Sequence, residues 1–166
     1  MQCFQGKSVY KGIVMGPVAV LKKNDYQVKR ARIEDPEAEV KRVKEAVEVS
    51  KKQLGRLYDK AVREVGEASA AIFEVHQMML EDLDYRESVT GIISGQLMNA
   101  EYAVDQTAAQ FSQIFAQMDD AYMQQRASDV LDVSRRLISV LMGREEARWA
   151  GDEPVILAAD DLVPSE

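Results

Sequence analysis

Asp35-Pro36-Glu37-Ala38-Glu39-Val40-Lys41-Arg42-Val43-Lys44-Glu45-Ala46-Val47 begins as a helix and stays one. Asp35 is placed to cap it, Pro36 takes the first helical position, and Glu37 and Glu39 sit in the first turn, where an acid meets the positive end of the helix dipole. Beyond them Val40, Val43, Val47, Ser50, Leu54, Leu57 and Ala61 recur at alternating spacings of three and four. That spacing lays them in one stripe, with Lys and Glu on the other faces. Gly66 is a natural stop.

The same period continues downstream. Glu67 to Leu80 carries Ile72, Phe73, Val75, Met79 and Leu80. Glu81-Asp82 interrupts it, and Asp82 is placed to cap a short helix through Ile93, weakened by Gly91 and Gly95. Asn99 is placed to cap a helix with the stripe Ala103, Thr107, Phe111, Ile114 and Met118. Asp119 or Asp120 is placed to cap another, with Arg126, Val130, Val133, Leu137 and Val140 on one face and Gly143 at its end. Short connections between long amphipathic helices imply antiparallel neighbours. The expectation for 33–143 is therefore a helical bundle of about four long helices, one of them interrupted.

The two flanks have a different period. Residues 4–21 read as β structure, with Ile13-Val14-Met15-Gly16-Pro17-Val18-Ala19-Val20-Leu21 β-branched and punctuated by Gly and Pro. Lys22 to Arg32 is a polar connection, and Arg144 to Glu153 a charged linker. Pro154-Val155-Ile156-Leu157-Ala158-Ala159 is an unbroken apolar run, which suits a strand covered on both faces of a mostly parallel sheet. The chain thus reads as mostly α, a bundle inserted into an incomplete α/β unit. Residues 1–32 supply that unit's first strands and 144–166 its return strand. A fragment of a longer protein is expected, because nothing after Ala159 closes the sheet.

Composition narrows the function. The 166 residues hold 21 Lys+Arg, 28 Asp+Glu, one Cys and one His, for a net charge of −7. That excludes a disordered or collagen-like chain. No apolar run reaches the roughly 18 residues of a membrane span, and the N-terminus has no signal-peptide core. Cys3 has no partner for an internal disulfide, and these features together fit a reducing cytoplasm. An acidic chain is a poor nucleic-acid binder. The acidity is also segregated. Residues 66–122 hold ten acidic side chains and Arg86 as the one basic side chain, for a net of −9, whereas residues 1–34 carry +5. Such a segment is either a solvated helix face or a docking surface for a basic partner.

No Gly-rich phosphate loop, zinc spacing or nucleophile elbow is present. His76 reads either as a proton or phosphoryl carrier or as a helix-surface or helix-end histidine bonded to a carboxylate; with no matched base or metal partner the second is favoured. Met78 and Met79 fit core filling or an adaptable binding surface. Arg126 is spaced to pair with Asp129 or with a carboxylate one turn away, and Tyr122 fits a packing residue with a wet tip.

Three segments carry a family resemblance. Ala71-Ile72-Phe73-Glu74-Val75-His76-Gln77-Met78-Met79-Leu80-Glu81-Asp82 resembles an "AIFEgHxMLLED" helix. Asp119-Asp120-Ala121-Tyr122-Met123-Gln124-Gln125-Arg126-Ala127-Ser128-Asp129-Val130 resembles "DdeYlxeRAaDvrDi". Val155-Ile156-Leu157-Ala158-Ala159-Asp160-Asp161-Leu162-Val163-Pro164-Ser165-Glu166 resembles "vilvA-DLtPSe". All three belong, in this order, to Enzyme I of the bacterial phosphotransferase system, the phosphoenolpyruvate–protein phosphotransferases. The resemblance implies that the full-length protein passes phosphoryl from phosphoenolpyruvate, through an active-site histidine, to the carrier protein HPr in sugar uptake. It implies that the bundle docks HPr. The phosphohistidine would lie in a later "GGxTSHxxI" segment, and Mg²⁺ and phosphoenolpyruvate would bind in a C-terminal barrel. This chain would then hold no catalytic residue, no metal and no cofactor.

By the same resemblance, Glu67, Glu74, His76, Met78, Met79, Asp82, Asp84, Tyr122 and Arg126 are the HPr-docking positions. His76 is then a docking-helix residue and not the phosphorylated one. The sequence departs from the family pattern at Ala68, often acidic, at Leu131, often arginine, and at Ser8-Val9-Tyr10-Lys11-Gly12 in place of "ASPG". Two other functions fit the same residues: a bundle that self-associates through its heptad stripes, and a paralogous phosphoenolpyruvate-using phosphotransferase in a regulatory pathway.

Overall fold

A computed structural model describes residues 12–21, 27–144, 154–159 and 164. Cys3, most of Ser8–Gly12, and nearly all of the 144–153 linker and the 160–166 loop lie outside the described residues. The chain divides into two compact units, one holding the strands and the other the helices.

In the strand unit, β1 (Val18–Leu21) pairs in parallel with β2 (Ile156–Ala159), in the register Val18↔Ile156 through Leu21↔Ala159. The Ile156 amide also donates to the Pro17 carbonyl at 2.8 Å. A parallel pair needs a long crossover, and here the crossover is the whole helical unit. The strand is shorter than the sequence implies. Residues 12–17 are outside it, with Ile13, Val14 and Met15 exposed. Pro17 has no N–H to offer a ladder, so pairing starts at Val18. Val18, Val20 and Leu157 are exposed apolar side chains on this pair.

In the helical unit five helices follow in order: α1 (Pro36–Val65), α2 (Glu67–Glu81), α3 (Leu83–Gln96), α4 (Ala100–Ala116) and α5 (Ala121–Leu141). Asp35 caps α1 by accepting from the Ala38 amide at 3.0 Å. Asp82 caps α3 from the Tyr85 amide at 2.9 Å, and Asp120 caps α5 from Tyr122 and Met123. Gly66 alone separates α1 from α2, at φ 90°, a conformation that a side chain makes costly. Buried Ala46, Val47, Leu54, Phe73, Leu80, Val89, Ile93, Val104, Val133 and Leu137 form one core.

Three local expectations change. Helix α3 runs to Gln96, past Ile93, because Tyr85, Val89 and Ile93 are all buried and outweigh the roughly 1 kcal/mol each glycine costs. On α4 the stripe shifts at its end: Phe115 packs on the core and Ile114 is exposed. Asn99 precedes α4 but does not cap it with its side chain. Its Oδ1 accepts from the Ala31 amide at 2.9 Å, and the Ala100 amide is taken by Glu39 Oε1 of α1 at 2.6 Å.

Residues 27–32 group with the helical unit. Ile33 N donates to Leu97 O and Asn99 N to Ala31 O, both at 2.9 Å. The Arg30 guanidinium lies 5.5 Å from the Tyr102 ring centroid. The segment before α1 is therefore stitched to the α3–α4 turn and belongs with the helices.

Candidate functional site

The expected docking residues fall on α2, the start of α3 and the start of α5. On α2, Glu74 and Met78 are four residues apart and both exposed, Met78 to 69%. Glu67, at the first turn, is also exposed. Met79 is half-buried and packs on the core, so only its outer part reaches the surface. Asp82 and Asp84 are exposed across the α2–α3 break, and Leu83 between them is 65% exposed. Leu83 is a surface residue that the sequence reading missed. The signal was there: the α3 core stripe is Tyr85, Val89 and Ile93, and Leu83 lies off that spacing.

Tyr122 and Arg126 form a second group at the start of α5. Tyr122 is 60% exposed, and its ring lies 4.4 Å from the Arg126 guanidinium carbon. Arg126 Nη2 also donates to the Tyr122 hydroxyl, and Nη1 donates to Asp129 Oδ2 at 3.0 Å. The pairing with Asp129 is among those expected from the spacing.

His76 departs from the expectation. It is fully buried, so it is neither a helix-surface histidine nor a side chain that touches a partner directly. Nε2 stands 4.0 Å from Asp129 Oδ1 and Nδ1 3.9 Å from Asp132 Oδ2, beyond hydrogen-bond reach, and neither ring nitrogen has a hydrogen-bond partner among the described residues. The Phe73 ring meets it edge-on at 6.4 Å. Burial pushes the imidazole below its ordinary value, against the pull of Asp132 and Asp129 and with the push of Arg136 and Arg126.

Part of the acidity of 66–122 is paired with cations of α1. Glu101 pairs with Arg42 at 2.8 Å, and Glu81 pairs with Lys51. Glu74, Asp82 and Asp84 remain exposed beside Met78 and Leu83. Exposed apolar side chains rimmed by charge are a composition found at protein-docking faces. Among the described residues no group of three or more His, Cys, Asp or Glu is arranged to hold a metal. No helix among them is long and apolar enough to cross a membrane.

The chain thus folds as a helical unit whose sequence lies between the two strands of a parallel pair. The family described as PEP-utilising enzyme, N-terminal, matches residues 5–126, and the chain belongs to that family. It is 36% identical over 167 residues to the phosphoenolpyruvate-protein phosphotransferase of Bacillus subtilis (strain 168), covering 100% of this chain and 29% of that protein. To the protein of the same name from Priestia megaterium it is 34% identical over 163 residues, covering 98% and 28%. An NMR solution structure of Enzyme I superposes with a TM-score of 0.78 at 30% identity, over 90% of this chain and 62% of that one. The N-terminal domain of Enzyme 1 – Nitrogen superposes with a TM-score of 0.69 at 28% identity, over 84% and 56%. The chain therefore matches the N-terminal part of Enzyme I and spans less than a third of the length of these curated relatives.

Proposed function

We propose that this chain is the carrier-docking portion of an Enzyme I that works in the cytoplasm. The full-length enzyme would take phosphoryl from phosphoenolpyruvate onto a histidine outside this chain and hand it to HPr. Mg²⁺ would serve the phosphoenolpyruvate site of the full-length enzyme, and no step on this chain runs through it. The observation that carries the reading is Met78, a large apolar side chain 69% exposed on a well-packed helix, with exposed Glu74 one turn before it and Asp82 one turn after. An exposed methionine among carboxylates suits a partner with an apolar patch ringed by cations. The burial of His76 supports its exclusion as the phosphorylated residue, since no carrier side chain reaches it.

Self-association through the stripes is disfavoured, because Val47, Leu54, Val133 and Leu137 are already buried inside one chain. A concentration-independent monomer in sedimentation would remove that reading. Docking itself is tested by NMR titration of this chain with HPr from the same source. Shift changes are expected on Glu67–Asp84 and on Tyr122–Arg126. No shifts on either surface at saturating HPr would overturn the proposal.

A further inference from the structure

His76 is the only histidine of the chain, and direct contact with a partner does not account for it. It is buried on α2, and its two nitrogens face two carboxylates of α5, Asp129 and Asp132. Asp129 is half-buried, and its other oxygen accepts from Arg126. Arg126 in turn lies against exposed Tyr122 and donates to its hydroxyl. A continuous set of contacts thus runs from a buried imidazole to an exposed ring: His76, Asp129, Arg126, Tyr122.

The charges acting on the imidazole are Asp132, Asp129, Arg136 and Arg126, all on α5. From α1, Gln53 Oε1 accepts from Arg136 Nη1 at 3.1 Å. From α3, the titratable side chain that reaches α5 is Tyr85, whose hydroxyl lies 2.6 Å from that of Ser134. With a neutral ring, Asp129 is closer to Arg126, at 3.0 Å, than to His76, at 4.0 Å. Adding a proton to the ring puts a cation on the far side of the same carboxylate. Asp129 then faces two cations on its two oxygens, Arg126 on Oδ2 and His76 on Oδ1, and turning the carboxylate to close the 4.0 Å gap to the ring draws Oδ2 away from Arg126.

We propose that His76 is a positioning residue of the docking face: from inside the bundle it sets whether Asp129 holds Arg126 against Tyr122, and protonating it loosens that clamp. The consequence for carrier binding rests on the docking reading; the clamp itself does not.

The single histidine makes the test direct. The imidazole of the 166-residue chain is followed by NMR from about pH 8 to pH 4.5, together with the Tyr122 ring and Arg126 guanidinium signals. The expected result is that Tyr122 and Arg126 inflect with the His76 midpoint, and that this inflection disappears in His76→Gln. Tyr122 and Arg126 signals that stay flat through the His76 titration overturn the proposal, even if the variant fails to fold, because the wild-type titration decides it alone. A second arm measures HPr affinity against pH for wild type and His76→Gln, with HPr's own titrations common to both. Wild type should lose roughly fivefold or more in affinity beyond the loss of the variant, the lower range of coupling between linked sites. Identical profiles overturn the positioning role. Absence of HPr binding at every pH overturns the docking reading, and the carrier-free titration still decides the clamp.

Discussion

Arg42 Nη1 donates to Glu101 Oε1 at 2.8 Å and so joins the second turn of α1 to the first turn of α4. The same guanidinium reaches Glu39 Oε1 at 2.7 Å and the Leu141 carbonyl at 3.0 Å, which adds the end of α5. Glu39 also receives the Ala100 amide. One arginine therefore balances two carboxylates that each satisfy helix-terminal groups. Arg42→Ala would leave both acids unpaired beside each other. Losing one partner of a buried pair costs about 3–5 kcal/mol, and the partial exposure of Arg42 reduces this to about 2 kcal/mol. Urea unfolding should show that loss, with Lys52→Ala, an exposed site on α1, within about 0.5 kcal/mol of wild type.

Acid should weaken the fold in two stages. His76 sits below its ordinary value of 6.5, chiefly through burial, so the unfolded chain binds that proton first. Stability is then lost as pH falls from about 6.5 to the lowered folded value. Glu39 is held below 4.5, first by its hydrogen bond to Arg42. Burial opposes the same shift in Glu101, and the bonds from Arg42 and Asn99 overcome it. Their stabilisation is intact above 4.5 and is lost as pH falls through their lowered values. Chemical unfolding at a series of pH values should therefore show a first decline starting near 6.5 that is absent in His76→Gln, and a second below 4.5 that is absent in the Arg42 variant.

Much of this was legible in the chain. The stops and starts at Asp35, Gly66, Asp82 and Asp120 are local chemistry, and local chemistry survives folding. Strands on both flanks, in a mostly parallel sheet, followed from the apolar runs on either side of a helical insert; the pairing of Val18–Leu21 with Ile156–Ala159 is set by the fold. The α4 cap was not legible, because its acceptor, Glu39, is 61 residues away and no local pattern marks it. The burial of His76 was available and overlooked. Ala70, Phe73, His76 and Leu80 are all buried at helical spacing, so the histidine stands in phase with the core. Its facing Asp132, buried between Val130 and Val133, breaks the apolar stripe and carries the matching signal. The sorting of Met79 inward and Met78 outward follows the spacing, in which Met79 stands with Ile72, Phe73 and Leu80 and Met78 does not.

The methionines separate docking from stability. Met78→Ala removes an exposed side chain and should leave unfolding within about 0.5 kcal/mol of wild type. If Met78 is an anchor of the docking face, the same variant should weaken HPr binding by about tenfold, a loss above the 1 kcal/mol that marks an energetically important contact. Leu80→Ala should do the reverse. Leu80 is fully buried, so its truncation should cost about 2–5 kcal/mol of stability, while binding at a temperature where the chain stays folded changes little. Calorimetric titration paired with urea unfolding reads both quantities on each variant.

Charge on the α2–α3 corner is a delicate probe, because Asp82 has two roles. It is exposed beside Met78, and it also caps α3 through the Tyr85 amide at 2.9 Å. Reversing it to Lys would remove the cap, worth about 1 kcal/mol, along with the charge, and any binding loss would be ambiguous. Asp82→Asn keeps an accepting oxygen and removes the charge alone. Asp84, exposed in the first turn of α3 and not its cap, tolerates reversal with only a small loss from the helix dipole. Asp84→Lys should therefore slow association with HPr several-fold in low salt. The effect should shrink as ionic strength approaches physiological values, where screening acts within roughly 8 Å. Dissociation should change less, because a rim charge acts mainly on the encounter. Stopped-flow association at two salt concentrations tests this. Equal rates for wild type and Asp84→Lys in low salt would remove the acidic corner from the steering surface and leave Met78 and Tyr122 as its remaining anchors.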